Sequence, residues 1–288
     1  MLRLAMKTAI GQSYEDMEII IVDDGSEPPV KSVVDEFNSQ NLVYLRLNEN
    51  QGANVARNAG IEHSTGEYIA FLDDDDQWKR EKIALQVDKF EKNPSVGVVY
   101  TGQEFINEDG KTTLKKTPNA SGNITRYLLE GGEMTTFSCL MVRKSIIDDA
   151  GKPEPELPIL QDREWPIRLS MYTRFYPIDD VLVSRQIGDY ESIGDNYNAL
   201  RDVAAPYIYN KYRDLAVKEG ISVQLKFQSW MFETIGKSAL SNKNYSDARK
   251  YLLLALLYWP FSADILLSFI ASIGGQYTHN IATNIRRL

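Results

Sequence analysis

The chain has 288 residues, 43% hydrophobic and 25% charged, with 40 Asp and Glu against 32 Lys and Arg for a net charge of −8. That composition suits a globular protein with one large domain and room for a helical appendage, and its acidic balance argues against nucleic acid as the main partner. A single cysteine, Cys139, and two histidines, His63 and His279, exclude a disulfide framework and a histidine- or cysteine-rich metal centre, and point to a reducing, cytoplasmic compartment.

Taken in order, residues 1–17 read as a helix, with Leu2, Leu4, Ala5, Ala9 and Ile10 on one face and Gly11 where a helix ends. Glu18–Ser26 (EIIIVDDGS) is a buried-strand pattern that stops on two carboxylates, Asp23 and Asp24, and a Gly-Ser turn. Pro28–Phe37 gives a turn and a helix, and Leu42–Leu47 a short strand. Asn48–Gly60 begins as a polar loop and turns helical at Ala53. Gly52 at that helix start and Arg57 one turn inside suit a phosphate, although the same pattern also reads as a helix with a surface arginine. In Tyr68–Trp78 (YIAFLDDDDQW) a second apolar run stops on four aspartates, Asp73 to Asp76. Two strands with acids at their C-terminal tips share one ligand edge if the sheet is parallel. Four adjacent carboxylates repel one another, and a divalent cation with a preference for oxygen offsets that repulsion.

Downstream, Trp78–Asn93 is an amphipathic helix, Val96–Thr101 a strand, Asn107–Gly110 a hairpin turn and Lys111–Gly122 a polar loop. Ile124–Glu130, Thr135–Val142 and Ser145–Ala150 read as helix, strand and helical turn. After a proline-rich passage, Leu160–Trp165 opens a helix with Asp162 at its start, and Tyr176–Gln186 is a further strand ending near Arg185. From Asn196 the pattern is helical: 197–219, 223–240, 247–258 and 263–273. Residues 1–195 and 196–288 are therefore expected to form a catalytic domain and a helical region. Ala239–Pro260 has the spacing of one tetratricopeptide-like helical hairpin. Leu252–Gly275 is apolar, but Pro260 and Asp264 interrupt it. Three readings stay open there: antiparallel helices packed on the core, shallow contact with a membrane surface helped by Arg286 and Arg287, and a membrane span.

The blocks EIIIVDDGS, NQGANVARNAG (50–60), GEYIAFLDDDDQW (66–78), VGVVYTG (96–102) and QDREWPIRL (161–169) together resemble family 2 glycosyltransferases over about residues 1–190. The resemblance implies the GT-A fold, a Rossmann-like α/β architecture with a mixed, mostly parallel sheet flanked by helices. It also implies inverting transfer of a sugar from a nucleotide-diphosphate donor, most simply a UDP-sugar, to a glycan or lipid-linked acceptor, with Mg²⁺ or Mn²⁺ as cofactor, in the cytoplasm or at the inner face of the cell membrane. Carried over by position, Asp23 and Asp24 meet the nucleotide. Asp73 and Asp75 form the Asp-x-Asp pair on ribose and metal, with Asp74 between them. Asp162 is the catalytic base, with Gln161 in place of the family's glutamate, and Arg57 and Arg185 approach the diphosphate or the acceptor. The family's first apolar strand has no counterpart ahead of Leu2. That predicts lower stability or weaker nucleotide binding than in a chain extended upstream. Two other functions remain open from the sequence: a catalytically weak binding or scaffold protein, and a nucleotidyltransferase.

Overall fold

The computed structural model describes residues 1–37, 39–107, 109–186 and 196–274; Arg286 and Arg287 lie outside them. The chain divides into two compact units. One comprises residues 1–125, 134–156 and 161–190. The other comprises 126–133, 157–160 and 191–288, so two short segments ahead of residue 191 group with the C-terminal helices.

The first unit opens with helix α1 (Leu2–Ile10), which buries Ala5, Met6 and Ala9 and ends at Gly11, well short of residue 17. Strands β1 (Ile19–Asp23) and β2 (Leu42–Arg46) pair in parallel, and the short helix α2 (Lys31–Val34) lies between them in sequence. Helix α3 (Ala53–His63) leads to β3 (Tyr68–Ala70). A second, six-stranded sheet runs β3-β7-β5-β8-β4, with β6 paired to β5. Its other strands are β4 (Asp76–Trp78), β5 (Val96–Ile106), β6 (Thr112–Lys116), β7 (Leu140–Arg143) and β8 (Arg174–Gln186). Within it β5 and β8 are parallel, and the ladders β3–β7, β5–β7, β4–β8 and β5–β6 are antiparallel. The remaining helices of this unit are α4 (Lys82–Lys92), α6 (Lys144–Ala150) and α7 (Gln161–Ser170); α5 (Thr125–Leu129) begins at its edge.

β5 is buried from Val96 to Glu104, as a central strand should be. Ile83, Val87 and Phe90 of α4 share a core cluster with Val96, Val99, Ile178, Leu182 and Val183. Among the described residues β1 and β3 do not pair with each other, so each is bonded along one edge only. Their starts are tied by Glu18, whose Oε1 accepts the N–H groups of Thr65 and Gly66 at 2.6 and 3.1 Å. Lys111–Gly122, expected as a loop, contains β6, because the backbone groups of 112–116 find partners along β5. β4 has only three residues, and its pairing with β8 creates it.

In the second unit, α8 (Tyr197–Ala199) continues through a π-turn at Leu200–Ala204 into α9 (Ala205–Glu219). Then follow α10 (Ile221–Ser241), α11 (Tyr245–Tyr258) and α12 (Ala263–Ile273). α10 and α11 form the helical hairpin expected from the 239–260 spacing, with Gly236 close against Leu252. No described helix is long and apolar enough to cross a membrane.

Candidate active site

The aspartate run is a tight turn that joins two strands. β3 ends at Ala70, β4 starts at Asp76, and the Asp76 N–H donates to the Asp73 carbonyl at 3.1 Å. A turn of this kind folds side chains that are consecutive in sequence toward one point. Oxygen atoms of Asp73, Asp75 and Asp76 lie within 4.8 Å of one another, while Asp74 faces solvent. Asp76 is 1% exposed and its Oδ1 has no hydrogen-bond partner. Burial pushes its carboxyl up to about 7, with Asp73 and Asp75 adding to the rise and the Ser138 hydroxyl and Arg185 opposing it. Burial also raises Asp75, and the charge of Asp73 adds to that, against Arg185. Arg185 stands opposite Asp76 in the β4–β8 ladder.

Several elements hold this turn. Arg57 of α3 donates from Nη2 to Asp73 Oδ1 at 2.7 Å and from Nη1 to Asn54 Oδ1 at 3.1 Å. Its guanidinium lies 4.0 Å from the centroid of the Phe137 ring. Trp165 of α7 stacks on Phe137 at 5.5 Å and meets Phe71 edge-on at the same distance. Trp165 is fully buried and its Nε1 donates to the Gly151 carbonyl at 2.9 Å. The neighbouring Glu164 is fully buried against Arg168, which also reaches the Ala150 carbonyl. These contacts fix α7. Asp162, half-buried in its first turn, precedes Trp165 by three residues and so shares its face of the helix. A continuous set of contacts thus runs from Asp73 through Arg57 and Phe137 to the helix that carries Asp162.

The β1 tip has a different character. The Asp23 side chain is 0% exposed and accepts from Ser26 N (2.8 Å), Val30 N (3.2 Å), Tyr44 Oη (2.6 Å) and Arg46 Nη1 (2.8 Å). Burial alone would raise its carboxyl; the donors, Tyr44 foremost, outweigh that and hold it well below the usual range. Asp23 therefore shapes the loop and offers no open face to a ligand. Asp24 accepts the N–H groups of Gln51 and Gly52 at 2.8 Å each, and so joins the β1 tip to the start of α3. Gly25 sits at φ +73°, and a Cβ there would meet the backbone of Glu49 and Asn50 at 2.5 and 2.6 Å.

The structure thus gathers Asp73, Asp75, Arg57 and Arg185 at one tip. Asp24 joins it through α3 and Asp162 through α7, while Asp74 stands outside the carboxylate cluster. Sequence reasoning gave Asp76 no role beyond the run of four aspartates and missed Phe137 and Ser138, which come to the tip from more than sixty residues away with no local pattern to flag them.

Acid-tipped strands in a mixed sheet flanked by helices make up the GT-A architecture, and solved structures share this fold. Staphylococcus aureus TarS residues 1–349 in complex with UDP-GlcNAc superposes with a TM-score of 0.62 at 15% identity, over 93% of this chain and 85% of that one. The mannosyltransferase PcManGT of Pyrobaculum calidifontis, in complex with GDP-Man and Mn²⁺, gives 0.58 at 15% identity over 98% and 79%. Residues 1–151 match the family model described as glycosyl transferase family 2. The chain belongs to that family and is a glycosyltransferase. Among its relatives, TuaG of Bacillus subtilis, named for teichuronic acid biosynthesis, is 27% identical over 82% of this chain and 89% of its own length. WfaP of Escherichia coli, a UDP-Glc:α-D-GlcNAc-diphosphoundecaprenol β-1,3-glucosyltransferase, is 35% identical over 59% of this chain and 64% of its own. Other relatives are matched over less than two thirds of their length, one from Nostoc over 49%.

Proposed function

We propose that the chain moves a sugar from a nucleoside-diphosphate donor to an acceptor hydroxyl with inversion, with a divalent cation at the Asp73–Asp76 turn. The observation that carries this is the convergence of three carboxylates, one buried with an unpartnered oxygen. A buried carboxylate without a donor is costly, and a hard cation is the partner such oxygens fit. Asp73, Asp75 and Asp76 would hold it, and Mg²⁺ or Mn²⁺ suits an all-oxygen donor set. The bound cation supplies charge stabilisation for the departing diphosphate.

Asp162 is the general base in this reading. Its carboxylate takes the proton of the acceptor hydroxyl while that oxygen bonds to the anomeric carbon. The bond from that carbon to the diphosphate breaks on the opposite face, and its electron pair leaves with the nucleoside diphosphate, so configuration inverts. Asp24 and the loop that Asp23 braces are assigned to the nucleotide, and Arg57 and Arg185 to the diphosphate. Asp162→Asn is expected to bind nucleotide-sugar as the parent does while losing at least about 100-fold in turnover, the usual scale for a general base. Unchanged release of nucleoside diphosphate by that variant would remove Asp162 from the mechanism. Retained binding with no transfer by the parent itself would favour the scaffold reading.

The acceptor is assigned to the lipid-linked or glycan class used in polysaccharide and glycolipid assembly, as the names of TuaG and WfaP suggest. The surface of α11 and α12 supports contact with a membrane. Leu257 (71%), Phe261 (81%), Leu267 and Ile273 are exposed there, with the exposed cations Arg249 and Lys250 on α11. Co-flotation with vesicles containing anionic lipid is expected for the parent and reduced in Leu257→Ser/Phe261→Ser. Equal flotation of both, or none by the parent, would discard the membrane contact.

A further inference from the structure

We propose that Ser138 is a positioning residue for the acidic turn, setting the geometry in which Asp73 and the carboxylates beside it meet a cation. The inference rests on the cation reading above. Ser138 is fully buried. Its Oγ accepts the Asp73 N–H at 3.0 Å. Its backbone carbonyl accepts Trp78 Nε1 at 2.8 Å. One residue therefore grips the first residue of the turn and, through Trp78, the strand that leaves it.

At the other end of the turn Asp76 Oδ1 has no partner, so the contacts that Ser138 makes to Asp73 and Trp78 hold the turn's shape. Removing the hydroxyl leaves the Asp73 N–H without its protein partner and frees the first residue of the turn to shift. Such a residue is to a carboxylate-bound cation what an outer partner is to any metal ligand, and losing one weakens metal affinity by about 10–100-fold. The adjacent Phe137 underlies Arg57, which fixes the third contact to Asp73. The 137–138 turn thus holds the site from below.

The test is Mn²⁺ binding by the full chain, read from the electron paramagnetic resonance of the free ion, with thermal melting as a check of folding. Ser138→Ala is expected to weaken Mn²⁺ binding about tenfold. In turnover assays it is expected to raise the Mn²⁺ concentration for half-saturation by a similar factor, and to change kcat at saturating Mn²⁺ less than that. The pair Ser138→Thr and Ser138→Val separates the hydroxyl from side-chain shape. Thr is expected to bind Mn²⁺ better than Val by about the same factor. A cooperatively melting Ser138→Ala that binds Mn²⁺ like the parent, or equal binding by Thr and Val, overturns the positioning role. A parent that binds no Mn²⁺ overturns the cation reading beneath it.

Discussion

Each of the four aspartates Asp73 to Asp76 lives in its own environment, and those environments divide the labour. Asp73 is neutralised by Arg57, Asp74 is solvated, Asp75 is half-buried, and Asp76 is sealed from water. Another buried charge lies nearby in sequence. Lys82 is fully buried, donates to Gln86 Oε1 at 2.7 Å and lies 4.2 Å from the Trp78 ring centroid. Burial lowers its ammonium from 10.5 to about 7. Below about 7 the folded and unfolded chains both carry this proton. Between about 7 and 10.5 only the unfolded chain binds it, so this group makes stability rise with pH across that window. Lys82→Met removes the buried amine at similar volume. In denaturant melts its stability advantage over the parent is expected to be large at pH 7 and to shrink toward pH 10; an advantage constant with pH would contradict this. The acidic tips were legible in the sequence because each is local, an apolar run ending in carboxylates. The neutral partners were not. Nothing in the order Thr136-Phe137-Ser138-Cys139 signals that it will meet Asp73, because tertiary packing alone makes that contact.

Elements matter here mainly for where they stop. β1 halts at Asp23 because the next residues form a loop braced by that carboxylate and pressed against residues 49–50. Gly25→Ala places a Cβ inside van der Waals distance of that backbone, at a φ that L residues occupy at a cost of about 1–2 kcal/mol. A loss of about 2 kcal/mol or more in unfolding free energy is expected, together with weaker nucleotide-sugar binding, since the start of α3 shifts with the loop. A variant with wild-type stability would show that this close approach is not needed. α1, α3, β1, β2, α4, α7 and the C-terminal helices followed from periodicity and end signals. β4 and β6 did not. A three-residue strand has no period to read, and 112–116 is largely exposed, so only the neighbouring strand makes it β structure.

At the scale of the whole molecule, one unit carries the acidic turn, the α3 arginine and the α7 aspartate, and the other is helical with exposed apolar side chains on its last two helices. The sequence placed the division near residue 195 but could not show that 126–133 and 157–160 belong with the C-terminal helices. That grouping depends on packing, as when Leu157 and Ile159 enter a core with Ala239, Ala248 and Leu252. In the proposed function the converging carboxylates bind a nucleotide-sugar through a divalent cation. Calorimetric titration of a panel of nucleotide-sugars into the parent and Asp76→Asn, with Mn²⁺ and with EDTA, tests it most directly. At least one donor is expected to bind the parent with Mn²⁺, and that binding is expected to fall at least about tenfold in EDTA and in Asp76→Asn, the loss expected when a metal site is damaged. Equal binding with and without the cation, or by the parent and Asp76→Asn, would contradict it.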